Sequence, residues 1–78
     1  MNKRERIIEI LRAVSKKEIL PEAGESLFES GLLDSFALPD VVTALEKAFA
    51  VTIPDSDLNP RKFDSVERIE EYLTSRGA

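Results

Sequence analysis

The sequence predicts an all-α fold: a small bundle of four helices, with a long loop between the first two and a short third helix. Three features of the 78-residue chain point to it. Apolar residues recur at helical spacing in three separate stretches. Pro21, Gly24 and Gly31 interrupt the chain between the first two stretches, in a segment too apolar to be a free linker. Pro54 and Pro60 bracket a segment before the last stretch that has room for only one short capped turn.

Each element follows from local chemistry. Asn2 and Glu5 have the spacing of a capping box, which opens a first helix over about residues 3–15. Ile7, Ile8, Leu11 and Val14 form its apolar stripe, broadened by Ile10, and Arg4, Glu5, Arg6, Glu9 and Arg12 fill the opposite side. Lys16 and Lys17 suit the negative end of the helix dipole. Residues 18–34 are expected as a long loop pinned to the core by Ile19, Leu20, Leu27, Phe28, Leu32 and Leu33, with a helical turn around Leu27 and Phe28. Long ordered loops are uncommon and often functional.

The second helix runs to about Ala50. Leu38, Val41, Val42, Leu45 and Phe49 share one face, with Asp40, Thr43, Glu46 and Lys47 outside it. Asp55-Ser56-Asp57-Leu58 is expected as the short third helix, a single capped turn ended by Pro60. Asp64 and Glu67 are spaced as the capping box of the last helix. Val66, Ile69 and Leu73 supply its stripe to about Ser75, with Tyr72 beside it. No internal repeat or low-complexity segment is visible, and residues 1–78 read as one domain.

Composition removes several function classes. The chain has no histidine and no cysteine. A disulfide, a thiolate site and a Ser-His-Asp triad are therefore impossible, and an enzyme is not expected. Fifteen acidic residues against eleven basic ones give a net charge of −4, a poor match to nucleic acid. No apolar run is long enough to span a bilayer, and helical periodicity rather than a signal peptide follows the basic N-terminus, so a cytoplasmic location is expected. Asp55-x-Asp57-x-Asn59 imitates the first ligands of a calcium loop. Pro60 and Val66 stand where such a loop needs glycine and glutamate, so no metal site is expected.

One motif carries chemistry: Gly31-Leu32-Leu33-Asp34-Ser35-Phe36, at the mouth of the second helix. A serine between a glycine turn and a helix start presents its hydroxyl where helix N–H groups and the dipole favour a negative charge. That suits a bound or attached phosphate, although Asp and Ser also stand at helix starts simply as caps. The surroundings decide between the two. With Ala44-Leu45-Glu46-Lys47-Ala48-Phe49, Val51-Thr52-Ile53-Pro54-Asp55 and Phe63-Asp64-Ser65-Val66 in order behind it, the motif resembles the acyl carrier protein family. That family includes the aminoacyl, D-alanyl and peptidyl carriers, and the likeness spans roughly residues 5–75.

The resemblance implies a covalent 4′-phosphopantetheine arm on Ser35. A separate phosphopantetheinyl transferase would place it there from coenzyme A, with magnesium. It further implies partner enzymes that load and transfer acyl or aminoacyl groups and that dock beside the arm, with Asp34, Phe36, Asp40 and Glu46 as the matching contact residues. Ala37 and Lys47 stand where many fatty-acid carriers have acids, and Phe36 where leucine is usual. The main expectation is a free-standing, monomeric carrier that holds acyl intermediates as thioesters in fatty-acid, polyketide or related specialised biosynthesis. The alternatives are an aminoacyl carrier of D-alanyl or peptidyl type, or, in another class, a helical interaction module that is never modified. Pro39 favours the last. It predicts either that the second helix begins a few residues after Ser35 or that its first turn is distorted.

Overall fold

The computed structural model describes residues 3–78, and the regular structure within them is helical. Three α-helices form the frame: α1 (Lys3–Ser15), α2 (Leu38–Phe49) and α3 (Val66–Ser75). Short 3-10 turns occupy Ser35–Ala37, Asp55–Asp57 and Pro60–Phe63. The boundaries of α1 and the end of α3 fall where the apolar stripes place them, and the expected cap at Asn2 lies outside the described residues.

The three stripes meet in one core. Ile7 and Leu11 of α1, Leu38, Val41, Val42 and Leu45 of α2, and Val66, Ile69 and Leu73 of α3 are buried. Ile19, Leu27, Leu33, Ile53 and Phe63 close the gaps between helices. Fully burying an aliphatic side chain of this size stabilises a fold by roughly 1.5–3 kcal/mol. Tyr72 lies edge-on to Phe63, with ring centroids 5.1 Å apart.

The ends of α1 are held by side chains. Lys3 Nζ donates to Thr74 Oγ1 at 3.0 Å and Arg4 pairs with Glu70 at 2.9 Å, both on α3. Arg6 reaches α2, donating to the Ala48 carbonyl at 2.7 Å while its guanidinium covers the Phe49 ring. At the far end the chain leaves α1 through Lys16 at φ 58°, and Arg12 Nε donates to the Ile19 carbonyl at 3.0 Å. That bond turns the chain into the long loop.

Three expectations are refined by the structure. The short third helix is two successive 3-10 turns, and Pro60 opens the second instead of ending the segment. Proline has no N–H to lose in a first turn, and the Asn59 carboxamide accepts the Arg61 N–H at 2.9 Å as the cap. The cap of α3 is Ser65, not Asp64: Ser65 has extended backbone, and its Oγ accepts the Arg68 N–H at 3.1 Å. Asp64 is thereby free to face the loop. Its Oδ1 accepts the Ser26 hydroxyl at 2.8 Å and the Phe28 N–H at 3.4 Å, and its carbonyl accepts the Leu27 N–H at 2.6 Å. The Glu67 N–H donates to the Ala23 carbonyl at 2.9 Å and completes this clasp.

The third refinement concerns Pro39. It sits in the first turn of α2, behind the 3-10 turn Ser35–Ala37, so the helix does begin after Ser35. An orphan position tolerates the missing N–H, and the helix beyond it is regular.

Asp57 anchors the 3-10 segment to α3. Its Oδ2 accepts the Tyr72 hydroxyl at 2.6 Å and its Oδ1 accepts Lys62 Nζ at 2.9 Å. The Tyr72 hydroxyl, and then Lys62, hold the Asp57 carboxyl below the usual carboxylate range. Burial, followed by the bond to Asp57, pushes the Tyr72 hydroxyl up to about 12. The carboxylate form of Asp57 is the one the fold favours, so its contribution is present above the ordinary carboxylate range and is lost as pH falls through its lowered value. Tyr72 must stay protonated. Its contribution is complete below the ordinary tyrosine value near 10 and is lost as pH rises toward 12.

Two outcomes follow for urea unfolding. Tyr72→Phe is expected to be less stable than wild type at neutral pH, with the difference narrowing as Asp57 becomes protonated in acid; a constant difference from neutral pH into strong acid would show that Asp57 is not its partner. Asp64→Ala is expected to lower stability by about 1–2 kcal/mol, the lower part of the range for unpaired donors, because the Ser26 hydroxyl and the Phe28 N–H are only partly buried.

Candidate functional site

The clasp on Asp64 fixes the start of the segment that delivers Ser35. Residues 27–31 form the expected single helical turn, with the Ser30 N–H on the Ser26 carbonyl at 3.1 Å and the Gly31 N–H on the Phe28 carbonyl at 3.2 Å. Gly31 then reverses the chain at φ 82°. A Cβ there would meet nothing within 4 Å, so the requirement is conformational and not steric. Leu33 follows, buried, and its N–H returns to the Leu27 carbonyl at 2.9 Å. Asp34, the next residue, is thereby carried out of the core.

Asp34 is exposed and caps the 3-10 turn that Ser35 opens. Its Oδ1 accepts the Phe36 N–H at 2.9 Å, and its carbonyl accepts the Ala37 N–H at 2.9 Å. No side chain caps α2 itself at Ala37. Ser35 is thus the first residue of a helical run that continues through Phe49, at the end where the dipole is positive. Phe36, beside it, is 89 % exposed, and Asp40 lies exposed on the first turn of α2.

Asp34, Ser35, Phe36 and Asp40 therefore gather at one end of the bundle. Glu46 does not join them. Six residues further along α2, about 9 Å at the helical rise, it is half-buried, and its Oε2 accepts the Ile53 N–H at 2.9 Å. Its carbonyl receives the N–H groups of Ala50 and Val51, which close α2. A side chain with this backbone role is a structural clamp between α2 and the following loop.

Sequence reasoning missed a cleft beside the serine. It has a volume of about 220 Å³ and lies between the end of α1 and the Leu32–Ala37 turn, lined by Val14, Ser15, Lys17, Leu32, Leu33, Asp34 and Ala37. Lys17 reads in the sequence only as a dipole partner for its own helix. Its place in the cleft depends on where the long loop returns, which no local pattern encodes.

Comparison with known proteins bears on this geometry. Residues 5–73 match the family model described as a phosphopantetheine attachment site. The chain belongs to the phosphopantetheine-binding carrier family. Members carry a covalent 4′-phosphopantetheine group and are not themselves catalytic; they work with a phosphopantetheinyl transferase and with loading and transferring enzymes. A D-alanyl carrier protein of Leuconostoc mesenteroides is 30 % identical over 75 residues, covering 96 % of both chains. The D-alanyl carrier proteins of Lactobacillus acidophilus and Bacillus velezensis are 25 % and 27 % identical over 75 residues, and each alignment covers at least 95 % of either chain. These names match the aminoacyl alternative and not the fatty-acid expectation.

The residues present fit such an arm. A glycine-reversed, aspartate-capped turn sets a serine at the positive end of a helix, and a phosphodiester suits that environment. Among the described residues no cluster of carboxylates could hold a metal ion, and no helix is long and apolar enough to cross a membrane.

The two acids on α2 are expected to separate by stability. Glu46→Ala should cost on the order of 1–2 kcal/mol in urea unfolding, because the Ile53 N–H loses its partner. Asp40→Ala should stay within about 0.5 kcal/mol of wild type, as for an exposed residue without such a bond. Equal losses would remove the clamp from Glu46.

Proposed function

We propose that residues 1–78 form a single carrier domain of the D-alanyl type, which takes its 4′-phosphopantetheine arm on Ser35. The observation that carries this reading is the end-to-end match to D-alanyl carrier proteins, in a chain whose Asp34-Ser35 pair stands at the entry to α2. When attached, the arm supplies the thiol that a cysteine-free chain lacks, and with it a thioester to an aminoacyl group.

The chain's own contribution is positioning. Asp34 holds the turn, Gly31 aims it, and the core behind it provides a rigid base. With no histidine in the chain, the base that activates the serine hydroxyl comes from the transferase. Cargo size supports the aminoacyl reading. Leu45, Ile69 and Leu73 are completely buried, so a long acyl chain would have to displace packed side chains. An aminoacyl group needs no cavity in the core.

Partner enzymes meet this end of the molecule. Phe36 offers an exposed apolar anchor, and Asp34 and Asp40 offer charge to a basic surface. Glu46 contributes less, since one of its oxygens serves Ile53. A monomer working in the cytoplasm agrees with the balance of charge and with the burial of the core.

Intact mass gives the test. With coenzyme A, magnesium and a broad-specificity phosphopantetheinyl transferase, the mass should rise by one phosphopantetheine, and Ser35→Ala should abolish the rise. With ATP and a D-alanine-activating enzyme the modified protein should then gain one alanyl group. An unmodified chain, under conditions that convert a control carrier, would leave the helical interaction module as the better account. Loading by a fatty-acyl-activating enzyme but not by the D-alanine enzyme would return the chain to the acyl carriers.

A further inference from the structure

We infer that the cleft between the end of α1 and the turn before α2 is the resting place of the arm whenever the carrier is undocked. The inference rests on attachment at Ser35. Asp34 and Ala37 both wall the cleft and flank that residue in sequence, so a chain tethered at position 35 begins at the rim. The volume of about 220 Å³ lies below the roughly 300–1,000 Å³ typical of sites for drug-sized ligands. A segment of the arm with a small terminal group fits; a long acyl chain does not.

The lining matches the arm in two parts. Val14, Leu32, Leu33 and Ala37 present carbon surface to its branched hydrocarbon portion. Lys17 supplies a cation for the phosphodiester. Among the described residues no carboxylate lies within ion-pair distance of Lys17. Asp34, the other charge in the cleft, has Oδ1 on the Phe36 amide, which offsets part of its repulsion of a phosphate. The contact is exposed and therefore weak and screened by salt. A carrier whose arm must leave for each partner enzyme needs a site of this kind, one that shelters the arm and gives it up readily.

The experiment compares methyl and amide resonances of the isotopically labelled protein before and after phosphopantetheine transfer, with the transfer verified by intact mass. Methyl signals of Val14, Leu32, Leu33 and Ala37 are expected to shift, with nuclear Overhauser contacts from the arm's geminal methyls to Val14 and Leu32. Lys17→Glu, or added salt, is expected to return the shifts toward their unmodified positions while the Phe63 and Tyr72 signals stay fixed. A protein that gains the full mass but shows changes only at residues 34–38 would overturn the inference and leave the carrier function standing. Shifts in the cleft that ignore Lys17→Glu and salt would also overturn it, because the phosphodiester would then not be held by Lys17. No gain in mass would overturn the carrier reading and this inference together.

Discussion

The junction between Leu27 and Asp64 holds the rest of the site in place. A loop of this length has ample freedom to wander, and closing it costs entropy that its own short-range contacts cannot offset. The Asp64 carboxylate and carbonyl receive three donors from residues 26–28, while Leu27 sinks completely into the core. Polar and apolar anchoring coincide at one point. From there the chain runs through Gly31 to Leu33, which is again buried and again bonded to Leu27. Two fixed points six residues apart leave Asp34 little choice of position.

The entry to α2 divides its duties among neighbours. Asp34 caps the 3-10 turn, Ser35 opens it, Phe36 projects into solvent, and Pro39 stands where a missing N–H costs nothing. A proline that looks like an obstacle in the sequence becomes compatible once a 3-10 turn places the start of α2 at Leu38. The same economy appears at Glu46, an acid on the expected docking face whose carboxylate belongs to the loop after α2.

Much of the fold was legible in the sequence because it is local. The stripes on Ile7–Val14, Leu38–Phe49 and Val66–Leu73 reflect a period of 3.6, and a helix with one apolar face has few ways to bury it. The Asp-Ser pair behind a glycine was legible for the same reason, since turn and cap chemistry spans only a few residues. The cap of α3 was misplaced by one residue. Asp64 and Ser65 are both good caps on propensity, and the choice was made by Ser26, 38 residues from Asp64 in the chain.

The sequence by itself determined the helices, the serine at their junction and the absence of any histidine or cysteine chemistry. Periodicity, capping and composition need no knowledge of the partner elements. Only the tertiary structure decided that Asp64 clasps the loop, that Glu46 serves Ile53, and that Lys17 shares a cleft with the turn before α2. Each of these joins residues that meet only when the core closes, so no local preference could announce them.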